Sequence, residues 1–315
     1  MSLYPKNLKE FVALCGVPRA KNSKVFIVDT ENGDDANAGT SFDQPLLTLL
    51  EAEDRCTTNM HDTVLFVARA TADNPSAQIV WDKSYTHLIG VGCDLPGMGQ
   101  RCRVVGLAAT ALSPVVAFSG NGCIVKNMQF GNEYATGATG VVSHTGQRCL
   151  FENVFFMVPF STTAASYSLK ISGGENAFRR CTFGQHTVVR SAATYNVWAH
   201  KGAGDNQRNH FIDCEFLSWA TGGGTAHTLV YTDIDIDNEV FTMFFENCLF
   251  ANIGAATLVV AIDDNAAATD HRIYLKGQNN SFAGCTAVSD PLTRVLKAET
   301  SGTASGLLMA AINES

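Results

Sequence analysis

The chain has 315 residues, 46% of them hydrophobic and only 17% charged, and 22 basic against 30 acidic side chains leave a net charge of −8. No basic cluster exceeds a pair, which argues against nucleic acid and anionic membranes, since both need clustered Lys and Arg. No apolar run approaches a membrane span, and the first one, Phe11 to Cys15, is too short for a signal peptide.

Residues 1–24 read as an arm. NLKEFVALCG places Leu8, Phe11, Val12 and Cys15 on one side of a short helix that Gly16 and Pro18 end. Such a stripe needs a partner, either its own domain or a neighbouring subunit. Residues 25–62 read as a strand, a loop and a cap. VFIV (25–28) is strand-like, and DTENGDDANAGTSFDQP is a loop by its Gly, Asn and Asp content. Its stretch from Asn32 to Gly39 lacks the closing Glu of an EF-hand and reads as turns. Pro45 opens LLTLLEAEDRC, where Leu46, Leu49, Leu50 and Cys56 fall near helical spacing. That helix is expected to lie as a lid over the first coil of a stack, covering backbone and core that an open end exposes.

Residues 63–290 carry the stack. TVLFVA (63–68) and THLIGVG (86–92) are short strands of its first, irregular turns. From Cys123 onward an apolar–x–Asn/Asp/Arg–apolar–x–Phe motif recurs, ending at Phe130, Phe156, Phe183, Phe216, Phe250 and, more loosely, Phe282. The spacings of 26, 27, 33, 34 and 32 residues mark one structural unit per repeat. Each unit holds short β-rich runs broken by Gly, Asn, Ser or Thr, and none has a long helical period. The pattern predicts an all-β, right-handed, single-stranded parallel β-helix with an N-terminal capping helix and extended termini. The terminal Phe then points inward and stacks on its counterpart ~4.8 Å away. The residue five earlier (Val125, Phe151, Phe178, Phe211, Phe245) makes a second apolar ladder. Asn127, Asn153, Arg180, Asp213, Asn247 and Asn279, three before each Phe, fall at a corner, where Asn accepts left-handed backbone angles. Cys181, Cys214 and Cys248 share a slot with Met128 and Val154, so these thiols read as small core hydrophobes, reduced and free of metal. Residues 291–315 form a tail with an apolar run at Leu307, Leu308, Met309 and Ala310.

Chemistry has one candidate region. YTDIDIDNEVF alternates Asp233, Asp235 and Asp237 with Ile234 and Ile236, which puts the carboxylates outward. Counted back from the terminal Phe, Asp233 stands 17 residues before Phe250, and Asp263 and Asp264 stand 19 and 18 before Phe282. Asp233, Asp235, Asp263 and Asp264 are therefore candidates for one acidic patch, able to bind Ca²⁺ or to act as an acid/base pair on a sugar. Trp198, His200 and Lys201 occupy the corresponding region one coil earlier. The bland alternative is a solvated outer face. No phosphate loop, nucleophile elbow or HExxH motif occurs, and no cofactor or metal site is predicted.

VFIVDTENGDDANAGTSFDQPLLTLLEA resembles the opening of many tailed-bacteriophage β-helix proteins: a strand, a Gly/Asp/Asn loop, Pro and a capping helix. HDTVLFVARA and THLIGVGCDLPGMGQRCRVVG resemble the segments that follow in those proteins, and the Phe/Cys/Asn coils resemble the pectin-lyase-like superfamily at large. The resemblance covers about residues 25–285. It implies a virion protein assembled in the host cytoplasm, most simply a capsid decoration or cement protein. Such a protein would bind the major capsid protein and itself, as a homotrimer, with Leu8, Phe11, Val12, Leu307, Leu308 and Met309 as contacts. Of the catalytic segments of pectate lyases and polygalacturonases only the pair Asp263-Asp264 has a match, so no catalytic residue carries over and a non-enzyme is expected. The alternatives are a tailspike-like polysaccharide lyase or hydrolase on the acidic patch, and a non-catalytic adsorption protein offering Trp198 or Trp219 to a glycan.

Overall fold

A computed structural model describes residues 8–92, 102–200, 208–221, 226–233, 241–264, 271–277, 279–290, 295–298 and 309–310. Among the described residues, short apolar runs separated by tight turns wind into three sheets of eleven, seven and eight strands, parallel except for the last strand of the first. A representative coil runs Ile124–Lys126 in the first sheet, Gln129–Asn132 in the second and Gly140–His144 in the third. The next coil repeats the order, with Leu150 in register with Ile124, Phe156 with Phe130 and Leu169 with Val142. The architecture is the expected right-handed parallel β-helix.

The motif's polar slot is the sharp corner between the first and second sheets. Asn127, Asn153, Arg180, Asp213 and Asn247 all take φ between +51° and +56°. A single left-handed residue turns the chain while both neighbours stay extended, and Asn and Asp adopt that geometry at low cost. The amides also bond along the stack: Asn153 Nδ2 donates to Asn127 Oδ1 at 2.9 Å, and Asn247 Nδ2 to Asp213 Oδ1 at 2.5 Å. Arg180 interrupts this ladder and pairs with Glu152 at 2.8 Å instead. The last copy departs from the motif. Its corner runs from Lys276 to Ser281, Gly277 takes the left-handed role at φ +73°, and Asn280 rather than Asn279 makes the bonds. Asn280 Oδ1 accepts from Cys248 N at 2.9 Å, and its Nδ2 donates to Phe245 O at 3.2 Å. A longer corner relieves residue 279 of the strained position.

Both phenylalanine columns form. Phe156, Phe183, Phe216, Phe250 and Phe282 stack with centroids 4.6–5.0 Å apart and rings within 17° of parallel. Phe130 joins at 6.1 Å with a 33° tilt. In the second column Phe151, Phe178, Phe211 and Phe245 repeat at 4.9–5.0 Å. Within a coil the columns meet at steep angles, edge to face at Phe178–Phe183 (5.9 Å, 69°) and tilted at Phe151–Phe156 (5.9 Å, 57°). Each such pair contributes ~0.5–1.5 kcal/mol beyond the area it buries. The cysteines lie beside them, buried and unpaired, with Cys181, Cys214 and Cys248 donating to the carbonyls of Phe151, Phe178 and Phe211. A second amide ladder, which no motif marks, sits where the third sheet turns into the first. Asn176 Nδ2 donates to Asn209 Oδ1 at 3.1 Å and to Gly146 O at 3.2 Å.

Helix α2 (Leu49–Arg55) is the lid, burying Leu49, Ala52 and Glu53 against the first strands. It starts later than the Pro45 signal suggests. Pro45 and Leu46 stay extended, Leu46 bridges Val28, and Thr48 is the N-cap, its hydroxyl accepting from Glu51 N. The acidic loop consists of turns: Asp35 accepts from Leu47 N and Thr48 N, each at 2.9 Å, and Asp34 from Ala36 N. These bonds end the extended segment and leave Thr48 free to cap.

Helix α1 (Leu8–Leu14) lies on the outer face of the first sheet. Val12, 1% exposed, packs with Val25, Ile27, Leu65 and Ile89, and Leu8 borders the same cluster. Lys126 Nζ donates to Cys15 O at 3.0 Å and secures the helix end. Val12 is thus buried in the chain's own wall and Leu8 is partly covered by it, one of the two partners expected for this stripe. The Phe11 side chain, Leu307 and Leu308 lie outside the described residues, as does the Met309 side chain. Leu14, 87% exposed, is a large apolar side chain that the described part of this helix offers outward. In the tail, Met309–Ala310 pairs antiparallel with Val295–Ala298 at the end of the first sheet.

Candidate functional site

Strands alternate their faces, so the outer side of the third sheet shows every second residue, repeated coil after coil. One outward column there reads Ser143, Lys170, Trp198, Tyr231, Asp263. A second column lies just past the strand ends. His200 N donates to Ile171 O at 2.8 Å and Asp233 N to Ala199 O at 3.2 Å, while Ser172 N donates to His144 O at 2.8 Å. These repeated bonds place Ser172, His200 and Asp233 at one register position on three successive coils. The two columns make a patch of Lys170, Trp198 and Tyr231 beside Ser172, His200 and Asp233.

Contacts within the patch are dense. His200 Nδ1 lies 2.9 and 3.0 Å from the two carboxylate oxygens of Asp233, so Nδ1–H donates to the carboxylate and Nε2 is the basic nitrogen. The Trp198 ring meets His200 edge to face at 5.1 Å, and Lys170 Nζ sits 4.1 Å from the Trp198 ring centroid. Burial lowers the Lys170 pKa and the charge of Asp233 opposes that fall. Tyr195 and Tyr231 stack at 4.2 Å and 7°, with Trp198 5.5 Å from Tyr195. Burial and the neighbouring Tyr231 push the Tyr195 phenol up to about 12.

The predicted acidic patch is divided. Asp233 and Asp263 are on the outer side, but Asp264 is 2% exposed and points into the coil, where Thr232 Oγ1 donates to it at 2.6 Å. The register pairs Asp264 with Thr232 and Asp263 with Tyr231, one and two residues before Asp233. Those offsets equal the sequence counts of 18 and 19 against 17, and neighbouring residues of a strand face opposite sides, so only one carboxylate of the Asp263-Asp264 pair points outward. Asp235 lies outside the described residues. Among those described, no group of three His, Cys, Asp or Glu is arranged to hold a metal ion. Sequence reasoning found Trp198, His200 and Asp233 but missed Ser172, Lys170 and Tyr195. No motif marks them, and only coil register brings them together.

A cavity of about 510 Å³ lies elsewhere, lined by Glu31, Ala68, Arg69, Ala70 and Gly92. Its polar groups are committed: Arg69 binds Asp29 through two nitrogens, and Glu31 accepts from Thr71 N at 3.0 Å.

No protein-family model matches the chain, and no curated protein matches it in sequence. Solved structures do. Pectate lyase Pel9A superposes with a TM-score of 0.51 at 13% identity, covering 93% of this chain and 83% of that one. The pectin methylesterase from Aspergillus niger superposes at 0.53 with 11% identity, covering 92% and 94%. The ORF18 protein of Geobacillus virus E2 is more distant, at 0.45 with 12% identity, covering 94% and 65%. Likeness at these identities defines the fold alone: the chain has the pectin-lyase-like right-handed β-helix fold.

Proposed function

We propose that this protein is a structural component of a bacteriophage virion, a capsid decoration or cement protein that oligomerises, most simply as a homotrimer. The observation that carries the reading is the layout of the first coil. The strand Val25–Val28, the turn-rich loop and the lid α2 follow the order that the sequence shares with tailed-bacteriophage β-helix proteins. The continuous phenylalanine column supports it, because it makes a stiff rod suited to a scaffold. The inward placement of Asp264 also supports it, since it removes one carboxylate from the proposed acid/base group. Contact with the major capsid protein falls to the termini and to Leu14. The test is to mix purified protein with undecorated particles and measure co-sedimentation and the mass of the free protein. Binding at a fixed stoichiometry to the shell is expected, and a protein that stays in the supernatant overturns the reading.

One observation favours a second reading, a glycan-binding adsorption protein. The Tyr195–Tyr231 stack beside Trp198 and Lys170 is an aromatic face with charge at its edge, the arrangement that sugar rings pack against. A glycan array separates the two readings, with Tyr231→Ala as the control for binding on this face.

A further inference from the structure

A face that combines a serine, a histidine and an aspartate in one column has a consequence beyond scaffolding. Ser172, His200 and Asp233 occupy equivalent positions on successive coils, each just past a strand of the third sheet, each anchored by the same backbone bond to the coil before it. Asp233 holds Nδ1 of His200 at 2.9 Å, which fixes the ring's tautomer and leaves Nε2 as the base. Ser172 stands one coil to the other side of the ring, ~4.8 Å along the stack. Asp, His and Ser thus follow in the order that nucleophilic acyl transfer needs: a group that orients, a base, and a hydroxyl to be activated. The in-register sheet sets the three residues side by side along the stack, and the bond from the hydroxyl to Nε2 is one that forms with substrate. In unliganded sites such bonds are commonly long and tighten on binding. Lys170, two residues before Ser172 and on the same outer face, holds its Nζ 4.1 Å from the Trp198 ring centroid and is the cation nearest in sequence to a developing oxyanion at Ser172.

We propose that this column is a serine acyl-hydrolase site acting on small O-acyl esters. Ser172 is the nucleophile, His200 the general base and acid, and Asp233 the positioning residue. Ser172 Oγ forms a bond to the ester carbonyl carbon as its proton passes to His200 Nε2. The tetrahedral intermediate collapses, the bond to the alkoxy group breaks, and that group leaves as an alcohol with the proton from Nε2. Water then attacks the acyl-serine with His200 again taking the proton, which releases the carboxylic acid and restores Ser172.

The test uses the full-length protein, a fluorophosphonate probe with peptide mapping, and hydrolysis of p-nitrophenyl acetate. The expected result is labelling at Ser172 and hydrolysis above that of Ser172→Ala, a small change that leaves the ladders untouched. His200→Ala should lower the rate at least ~100-fold, the usual scale for losing a general base. Asp233→Asn should leave Ser172 able to react while displacing the pH–rate profile, which a purely structural role would not do. Should His200→Ala prove misfolded by circular dichroism, the Ser172→Ala comparison decides alone. Equal hydrolysis by wild type and Ser172→Ala, or labelling of wild type at other residues only, overturns the proposal.

Discussion

Phe211→Ala measures what the aromatic columns contribute. Phe211 is fully buried, lies parallel to Phe178 and Phe245 at 4.9 Å on either side, and meets Phe183 edge to face and Phe216 at a 58° tilt, both at 5.7 Å. Removing its ring forfeits burial of ~150–250 Å², or about 4–6 kcal/mol at ~25 cal/mol/Å², an upper bound for an extended unfolded chain. Cavity substitutions of this kind cost about 3–5 kcal/mol in practice. The stack prevents relaxation, because each neighbouring ring is held by a further ring beyond it. Phe282 is the internal control. It ends its column, is partly exposed, and stacks on Phe250 alone at 4.7 Å, so Phe282→Ala should cost about 1–2 kcal/mol. Equilibrium denaturation in guanidinium, or unfolding rates if refolding fails, gives both values. Equal losses at the two positions would refute the idea that continuity of the column matters.

Three further outcomes follow from the geometry. At the corner, Asn153→Ala should destabilise by ~1–2 kcal/mol through loss of the Asn127 bond and a left-handed φ of +54°, whereas Asn153→Gly should cost less because glycine accepts that angle. Thermal melts of the two variants rank them, and a reversed order would remove backbone strain as the cause. At the lid, burial pushes the Asp73 carboxyl up to about 6 even though Leu49 N donates to it at 2.6 Å. The folded state holds this proton more tightly than the unfolded one. The contribution is therefore complete below the ordinary value of 3.8 and is lost as pH rises through about 6. Asp73→Asn keeps the acceptor oxygen. It should flatten stability between pH 4 and 7 and end more stable at neutral pH by on the order of 1–3 kcal/mol, read from denaturation midpoints across ~pH 4–7. On the outer wall, Val12→Ala should lower stability by about 1–2 kcal/mol, and removing residues 1–22 by more, because Ile27, Leu65 and Ile89 lose their cover. A truncated chain with an unchanged melting temperature would return the arm to a purely intermolecular role.

Fold class was legible from residue order because it rests on local and periodic chemistry. A Phe at every repeat, Asn or Asp where the chain must take a positive φ, and small thiols beside them are requirements of each coil by itself. They therefore recur wherever a coil does, and Asn127, Asn153 and Asn247 took their expected corners. The departures have different origins. Asn279 yields to Gly277 and Asn280 because that corner is longer, whereas Asp264 turns inward without any drift, because it neighbours the outward Asp263 in a period-two strand.

What only the tertiary structure decided is which residues of different coils share a surface. Ser172, His200 and Asp233 are 28 and 33 residues apart, unequal intervals that conceal their common register. The backbone bonds between coils, not the spacing, align them. The same holds for α1, whose apolar stripe the residues specify but whose partner, the outer face of the first sheet, exists only once three strands lie side by side. Local turn and packing preferences act within a coil, so residue order expresses them directly. Side-by-side placement depends on the summed length of every intervening turn, and a change of one residue in any of them resets it.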